Sequence, residues 1–471
     1  MCIKQTKIVA TISDIRCEID FIKDLYEAGI NVVRLNTAHM EMEKAKILIK
    51  NVRSVSKHIG ILIDTKGPEI RTRDIKEPVK FEEGDEILIG HNIGDKSGFD
   101  VNYDGFVAEV KVGAFILIDD GETKFKVLDK KNGVLVCRAE NSGVVKNKKS
   151  VNVPGAKFDL PSVSAKDLDF IKFAIDQDLE FIAHSFVRNT ADVHEVQKIL
   201  DEANSDIKII AKIENREGVE NINSITDEVY GIMVARGDLG IEIPQEEVPI
   251  VQKKIIETCR RKGKPVITAT QMLHTMIENP RPTRAEVSDI ANAVYDGTDA
   301  IMLSGETAYG DYPVEAVKTM DSICKSIEPQ RNVNTGKTDI QYDNKILEHI
   351  CYSAARATRE MPIKAIIADT LTGRAPRFLS AYRGQTPIYV VTKSPRVMRE
   401  LALSYGVFST CDNDAKSTNE LMATGFKYFT KKELLKEDDM VVIVAGSSKG
   451  VKFANFFEIC TADTWHPIIE K

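Results

Sequence analysis

Ile209-Ile-Ala-Lys-Ile-Glu-Asn-Arg-Glu-Gly218 and, a little further on, Ile232-Met-Val-Ala-Arg-Gly-Asp-Leu-Gly-Ile-Glu-Ile243 decide how this chain is read. Each belongs to a short apolar run, Lys208 to Ile213 and Gly231 to Ala235, of the kind that forms a strand covered on both faces in a parallel sheet. Each run ends in charge and glycine. Lys212 and Glu214 are two residues apart, so in extended chain they point to one side, roughly 7 Å from each other. Asp238 adds a second carboxylate from the neighbouring run. Gly237 leaves the backbone unshielded, and Gly237-Asp-Leu-Gly240 can open a short helix whose free N–H groups attract an anion. Two carboxylates, a lysine and bare N–H donors suit a divalent metal holding an anionic oxygen ligand. A buried ion pair beside a tight turn accounts for Lys212 alone, but not for the combination across two adjacent strands.

Outward from this stretch the chain alternates strand-like and amphipathic helical runs. Towards the N-terminus, strands are expected at Lys7–Ile12, Ile30–Leu35 and Ile59–Asp64, with helices at Cys17–Ala28 and Met42–His58. From about Arg71 to Val153 the rhythm changes to short alternating runs with turns at Glu83-Gly-Asp85, Asp120-Gly121 and Lys131-Asn-Gly133. Val107–Val110, Phe115–Ile118, Thr123–Leu128 and Val134–Ala139 have strand character, and the segment reads as an all-β insertion. Its joints, Lys66-Gly-Pro68 and Pro154-Gly155 with Pro161, suit a hinge. After Pro161 strands are expected at Glu180–Ala183, Lys208–Ile213, Gly231–Ala235, Pro265–Ala269 and Ala300–Leu303. Eight strand–helix units over roughly 240 residues fit a (β/α)8 TIM barrel.

Charged and hydroxyl residues gather where these strands end: Arg34 and Asn36, Asp64 and Thr65, Ser185, Lys212 and Glu214, Arg236 and Asp238, Thr270, and Ser304 and Glu306. In such barrels the carboxyl ends of the strands form the active-site face. Beyond Pro329 a polar stretch, Asn332 to Lys337, reads as a linker. A C-terminal α/β domain follows, with helices at Asn344–Arg359, near Ala375–Tyr382 and at Pro395–Tyr405, and strands at Lys364–Ala368, Pro387–Val391 and Met440–Ala445. The expected division is residues 1–69 and 157–330 for the barrel, 70–156 for the β lid and 331–471 for the C-terminal domain. Thr370-Leu-Thr-Gly-Arg374, between a strand and a helix, reads equally as a phosphate cradle or as an ordinary capped turn.

Bulk properties narrow the function classes. The 471 residues exceed one ordinary core. A net charge of −7 disfavours a nucleic-acid or acidic-membrane surface. Eight scattered cysteines with no Cys-x-x-Cys pair point away from a zinc site or a disulfide framework and towards a reducing cytoplasm. No signal peptide is visible, and no apolar run approaches the ~20 residues of a membrane span.

At this point the chain resembles a known family over essentially its whole length. The motifs are Asn31-Val-Val-Arg-Leu-Asn36, Leu62-Ile-Asp-Thr-Lys-Gly-Pro-Glu-Ile-Arg-Thr72, Ala211-Lys-Ile-Glu-Asn215, Ile232 to Ile241, Ala269-Thr-Gln-Met-Leu273, Pro280-Arg-Pro-Thr-Arg-Ala-Glu286 and Ile301-Met-Leu-Ser-Gly-Glu-Thr307. Together they resemble pyruvate kinase. The resemblance implies transfer of phosphate from phosphoenolpyruvate to ADP, giving pyruvate and ATP. It implies Mg²⁺ (or Mn²⁺) on Glu214 and Asp238, and the substrate carboxylate on the N–H groups of Gly237 and Asp238 with the Thr270 hydroxyl. Lys212 would lie against the phosphoryl group and the developing enolate, and Arg34 would grip the phosphate. Arg71 and Lys149, with Asn36, would hold the nucleotide. Thr270, Ser304 and Glu306 would belong to the network that protonates the enolate. K⁺ is implied at Asn36, Asp64 and Thr65, because Glu69 follows Gly67-Pro68 as in potassium-dependent members. A homotetramer, with the C-terminal domains forming one interface, is also implied.

Departures from the family pattern carry their own expectations. The family's potassium-binding serine is Ala38 here, so water is expected in its place and weaker K⁺ affinity with it. The first strand runs into Thr11-Ile-Ser-Asp14, where Gly-Pro is usual after the Ile, and His184 stands where a small residue is common; both are expected to be loop adjustments that touch no ligand. The loop Ala445-Gly-Ser-Ser-Lys-Gly450 is shorter than in sugar-phosphate-activated members, which leaves open whether a sugar phosphate, AMP or neither is the effector. The chain's tail shows no extra C-terminal domain of the kind some bacterial members carry. Two rival readings remain at this stage. One is a catalytically silent paralogue that senses metabolites, against which the intact Lys212, Glu214, Asp238 and Thr270 speak. The other is a barrel enzyme using enolpyruvate for carbon–carbon chemistry, which would not depend on ADP.

Overall fold

The computed structural model describes residues 3–38, 40–91, 93, 97–331, 339–446 and 454–463. Eight parallel strands, β1 (Lys7–Thr11), β2 (Val32–Asn36), β3 (Gly60–Asp64), β4 (Phe181–His184), β5 (Lys208–Ile213), β6 (Gly231–Ala235), β7 (Val266–Ala269) and β8 (Ala300–Leu303), close into a barrel in sequence order, β8 pairing with β1. The period of two along each strand sorts side chains between the barrel axis and the helix layer. Val9, Val32, Leu62, Phe181, Ile210, Met233, Ile267 and Ala300 fill the axis. Two residues further along several strands the same inward face turns polar, at Arg34, Asp64 and Lys212. Ile8, Val33, Ile61, Ile182, Ile209 and Ile232 face the helices instead. An apolar floor and a charged top layer therefore come from one alternation.

Between β3 and β4 the chain leaves the barrel to build the lid. Its seven-stranded sheet is centred on Thr123–Lys131 and Val134–Ala139, around a core that includes Phe99, Phe106 and Phe125. Phe106–Glu109 is a short helix, not the strand expected at Val107–Val110. Its apolar alternation mimics a strand, but Phe106 and Val110, four apart, enter the lid core together with Val107 packed against it, which is helical spacing. Glu86–Gly90, which pairs with Val134–Ala139, is a strand that was not among those expected, although Ile87-Leu-Ile89 is a short apolar run after the Glu83-Gly-Asp85 turn. Gly67 (φ +71°) and Gly155 (φ +77°) take left-handed turns at the two straps that join lid to barrel. Asp167 accepts the N–H groups of Lys66 and Gly67 at 2.8 and 3.2 Å. Arg188 donates to the carbonyls of Phe158 and Leu160, both at 2.9 Å. One strap is thus held by a carboxylate and the other by a guanidinium.

The C-terminal unit is a five-stranded sheet of β9 (Ala365–Thr370), β10 (Ile388–Thr392), β11 (Val407–Cys411), β12 (Met440–Ala445) and β13 (Phe456–Thr461), in the order β11-β10-β9-β12-β13. Only β13 runs antiparallel to its neighbour. The helix expected over Pro395–Tyr405 stops at Glu400, where a 3₁₀ turn, Leu401–Leu403, takes over. That turn delivers Leu403 to the apolar axis of the barrel, so the C-terminal unit plugs the floor. The linker expected at Asn332–Lys337 and the 447–450 part of the shortened loop lie outside the described residues. No helix of the described residues is long and apolar enough to cross a membrane.

Buried charge ties the barrel floor to the C-terminal unit. Glu180, fully buried just before β4, accepts from Arg53 (2.7 and 2.8 Å), from Arg399 (2.6 Å) and from the Ile61 N–H (2.8 Å). Removing one member of such a network strands the others, at about 3–5 kcal/mol. Glu180→Ala should lower the thermal unfolding midpoint by roughly 5 °C or more. An unchanged midpoint by calorimetry at the same protein concentration would contradict this assignment.

Candidate active site

Lys212 is the centre of the charged top layer. Its ammonium donates to Ser185 Oγ at 2.7 Å and lies 3.1 Å from Asp64 Oδ1 and 2.9 Å from Glu214 Oε1. Burial opposes its charge, but Asp64 and Glu214 outweigh that, so its pKa is raised above the ordinary lysine value. Lys212 therefore stays protonated throughout the physiological range. Asp64 also accepts Arg34 Nε at 2.6 Å, and the Arg34 Nη1 donates to Thr11 Oγ1 at 3.0 Å. Although burial works against it, Asp64 is held below the usual carboxylate range by Arg34 and Lys212. Thr11, which precedes the departure from the family pattern, supports Arg34, whereas Ser13 and Asp14 bond Ala308 and Lys44 and touch none of the expected ligands.

Glu214 and Asp238 behave differently. Both carboxyls are pushed up by burial, Glu214 to about 7. Glu214 Oε2 accepts the Phe186 N–H at 2.6 Å. Glu214 Oε1 is buried and has no hydrogen-bond donor, its approach to Lys212 being an ion pair without hydrogen-bond alignment. Two cations, Arg34 and Lys212, face three carboxyls, Asp64, Glu214 and Asp238, so the cluster is one positive charge short when all three are ionised. An undonated carboxylate oxygen beside a second carboxylate, in a site one charge short, fits a divalent cation.

The helix expected after β6 forms over Arg236–Glu242. Its Gly237 N–H is not bare: it donates to Thr270 Oγ1 at 2.9 Å. The Thr270 hydroxyl in turn donates to the Ala269 carbonyl at 2.7 Å. Thr270 sits at φ +67° and Gln271 at +55°, the first a β-branched residue in the left-handed region, at a cost of order 1–3 kcal/mol. Glu306 braces the same corner, accepting the N–H groups of Leu273 (3.0 Å) and Ser304 (2.7 Å). Ser304 Oγ is buried without a partner.

Arg71 and Lys149 form a second group, on facing lid segments joined through an Arg71–Ser150 bridge. Each is paired within the lid region: Arg71 with Glu69 at 2.7 Å and the Lys148 carbonyl at 2.6 Å, Lys149 with Asp119 at 2.6 Å. Of the remaining expected residues, Asn36 accepts the Ala38 N–H at 3.2 Å, and Thr65 bonds Ala183 and Ser185. The Ala38 carbonyl accepts from Lys166 at 3.1 Å. At the C-terminal unit Thr370 Oγ1 caps Gly373 N–H at 2.9 Å, and Arg374 pairs with Asp343. Two residues of the site, Ser185 and Arg236, were placed on the strand-end face from sequence but given no role there; for Arg236 the partner that fixes it, Asp289, lies 53 positions away.

Fold and charge layout define an α/β-barrel enzyme with its chemistry at the carboxyl ends of the strands. Residues 3–317 match the family model described as pyruvate kinase, barrel domain, and residues 348–460 that described as pyruvate kinase, alpha/beta domain. A pyruvate kinase of Borreliella burgdorferi is 52% identical over 469 residues, covering 98% of either chain. Those of Bacillus licheniformis and Geobacillus stearothermophilus are 45% and 44% identical over 94% and 95% of this chain and 78% of their own. The chain belongs to the pyruvate kinase family. It is a phosphotransferase that moves the phosphoryl group of phosphoenolpyruvate to ADP, in a family that needs metal ions.

If Glu214 holds a divalent cation, protons compete for it, so affinity for Mn²⁺ should fall as pH is lowered through about 7 and level off above it. Glu214→Gln should abolish most of the affinity and its pH dependence. Titration calorimetry with Mn²⁺ alone checks both, and a pH-independent affinity would contradict the assignment.

Proposed function

We propose that the Lys212 cluster performs the transfer, with Mg²⁺ (or Mn²⁺) held by Glu214 and Asp238. The observation that carries this reading is the undonated Glu214 Oε1 beside a lysine kept charged by two carboxylates. When bound, the metal neutralises the carboxylate pair and polarises the substrate oxygens. Arg34, fixed by Asp64 and Thr11, grips the substrate phosphate. The substrate carboxylate takes the corner made by Thr270 and the N–H groups of Gly237 and Asp238, replacing Thr270 as acceptor at Gly237.

Transfer breaks the bond between phosphorus and the enol oxygen and forms one from phosphorus to a terminal oxygen of ADP. The bonding pair stays on the enol oxygen, and the negative charge develops against Lys212. A fixed cation favours that state over the ground state, in which the bridging enol oxygen carries no charge, and so lowers the barrier selectively. Arg71 and Lys149 exchange their lid carboxylates for the nucleotide phosphates, with Asn36 beside them. Rotation about the straps at Gly67 and Gly155 closes the lid and excludes water. The enolate then takes a proton at carbon from a hydroxyl and water network in which Thr270, Ser304 and Glu306 take part.

We further propose a K⁺ near Asn36, Asp64 and Thr65, weakened by Ala38. Residues 70–156 and 331–471 act as lid and C-terminal regulatory domain, and a sugar phosphate or AMP would bind at Thr370 to Arg374. A cytoplasmic homotetramer completes the assignment; the unpaired described cysteines and exposed Ile250 and Tyr295 support it.

Lys212→Met, assayed on the folded fraction, should leave substrate binding nearly intact while lowering kcat by ~10²-fold or more, on the scale of lost oxyanion donors. A lactate dehydrogenase-coupled assay measures this, and near-normal turnover would overturn the role of Lys212. In the same assay K⁺ should activate the enzyme in tetramethylammonium buffer. Full activity without potassium would reject the monovalent site.

A further inference from the structure

Arg236 lies beside the reacting corner, yet the steps above give it nothing to do. We propose that Arg236 is a positioning residue for the reaction: anchored on Asp289, it holds Thr270 in the backbone conformation that aims its hydroxyl at the substrate. The inference rests on the reading of Thr270 as part of the carboxylate corner and the proton network.

The guanidinium is 10% exposed, and each of its five N–H groups has an acceptor. Nη1 and Nη2 grip Asp289 in a bidentate pair, both at 2.7 Å. Nη1 also reaches Gln252 Oε1 at 3.3 Å. The two remaining bonds go to the carbonyls of Thr270 (Nη2, 2.7 Å) and Ala269 (Nε, 3.2 Å). An ion pair that only tied strands together would need Asp289 alone. Here the donors converge on the peptide units where the chain turns left-handed, at Thr270 and Gln271. A strained backbone persists only where its surroundings over-determine it. The next residue, Gly237, meanwhile donates its N–H to the Thr270 hydroxyl. Before substrate arrives the dipeptide Arg236-Gly237 thus holds both the backbone and the side chain of Thr270; once the substrate carboxylate takes the Gly237 N–H, the Arg236 bonds to the Ala269 and Thr270 carbonyls still hold the backbone. Lysine, a single-point donor, cannot reproduce the planar fork.

Freed from Arg236, Thr270 relaxes towards ordinary backbone angles and its hydroxyl moves off the reacting oxygens. A displacement near 1 Å is enough for a ~10²-fold loss in rate. The test compares Arg236→Lys, Arg236→Ala, Asp289→Asn and Thr270→Val in the tetrameric or native assembly, each first checked for an unchanged melting profile. Arg236→Lys and Arg236→Ala should lower kcat by ~10²-fold and raise KM for phosphoenolpyruvate, while KM for ADP stays within about twofold. Asp289→Asn should show a weaker form of the same split. Added guanidinium should restore part of the Arg236→Ala turnover and none of the Thr270→Val loss; methylammonium should restore neither. Should Arg236→Ala not fold, Arg236→Lys and Asp289→Asn decide the matter. A folded Arg236→Lys with kcat within about threefold of the parent, beside a crippled Thr270→Val, would overturn this inference and leave the role of Thr270 standing. Full turnover in Thr270→Val would instead overturn the reading on which it rests.

Discussion

A lysine ammonium withdrawn from water keeps its proton only if anions stand against it, and in this protein Asp64 and Glu214 do so at 3.1 and 2.9 Å. That requirement reaches through the barrel. Asp64 comes from β3, Lys212 and Glu214 from β5 and its end, and Ser185 from the turn after β4, so three neighbouring strands must keep register for one charge to survive. Asp64 serves a second cation as well, Arg34 of β2. The Arg34–Asp64–Lys212 chain therefore spaces two positive charges by placing a carboxylate between them. Those two cations can face one dianionic phosphoryl group without expelling each other.

The same geometry leaves a deficit that makes the site receptive. Asp64 is satisfied by its cations and stays ionised. Glu214 and Asp238 share what remains of Lys212, and both are held above the usual carboxylate range by burial. The three carboxyls of one site thus differ because their partners differ: Asp64 is matched by two cations, and Glu214 and Asp238 are the pair proposed to hold a divalent cation. Thr270 shows a comparable division in the backbone. Its left-handed conformation is costly, and the bonds from Arg236 and Gly237 are what hold it.

Much of this was legible in the sequence because the inward face of a barrel strand follows a period of two. Leu62 and Asp64, or Ile210, Lys212 and Glu214, announce an apolar floor and a charged top before any fold is known. Strand positions followed from the same apolar runs, several to the residue. What could not be read depended on contacts distant in sequence. The apolar residues at Val107–Val110 satisfy a strand as well as a helix, and the joint packing of Phe106 and Val110 into the lid core decides. The break at Glu400 reflects the demand that Leu403 reach the barrel axis. The Gly237 N–H looked free because its acceptor, Thr270, lies 33 positions on. Arg236 looked like one more polar strand end, since neither Asp289 nor the strained carbonyl of Thr270 is visible as a pattern.

The most direct test of the central claim is a crystal structure with Mn²⁺ and oxalate, a planar dianion whose adjacent oxygens stand in for the enolate and carboxylate of the substrate. The account predicts an anomalous manganese peak bonded to Glu214, Asp238 and oxalate, with the Lys212 ammonium within hydrogen-bond distance of an oxalate oxygen. A manganese peak away from both carboxylates, or Lys212 turned from the ligand with its Asp64 contact broken, would contradict it.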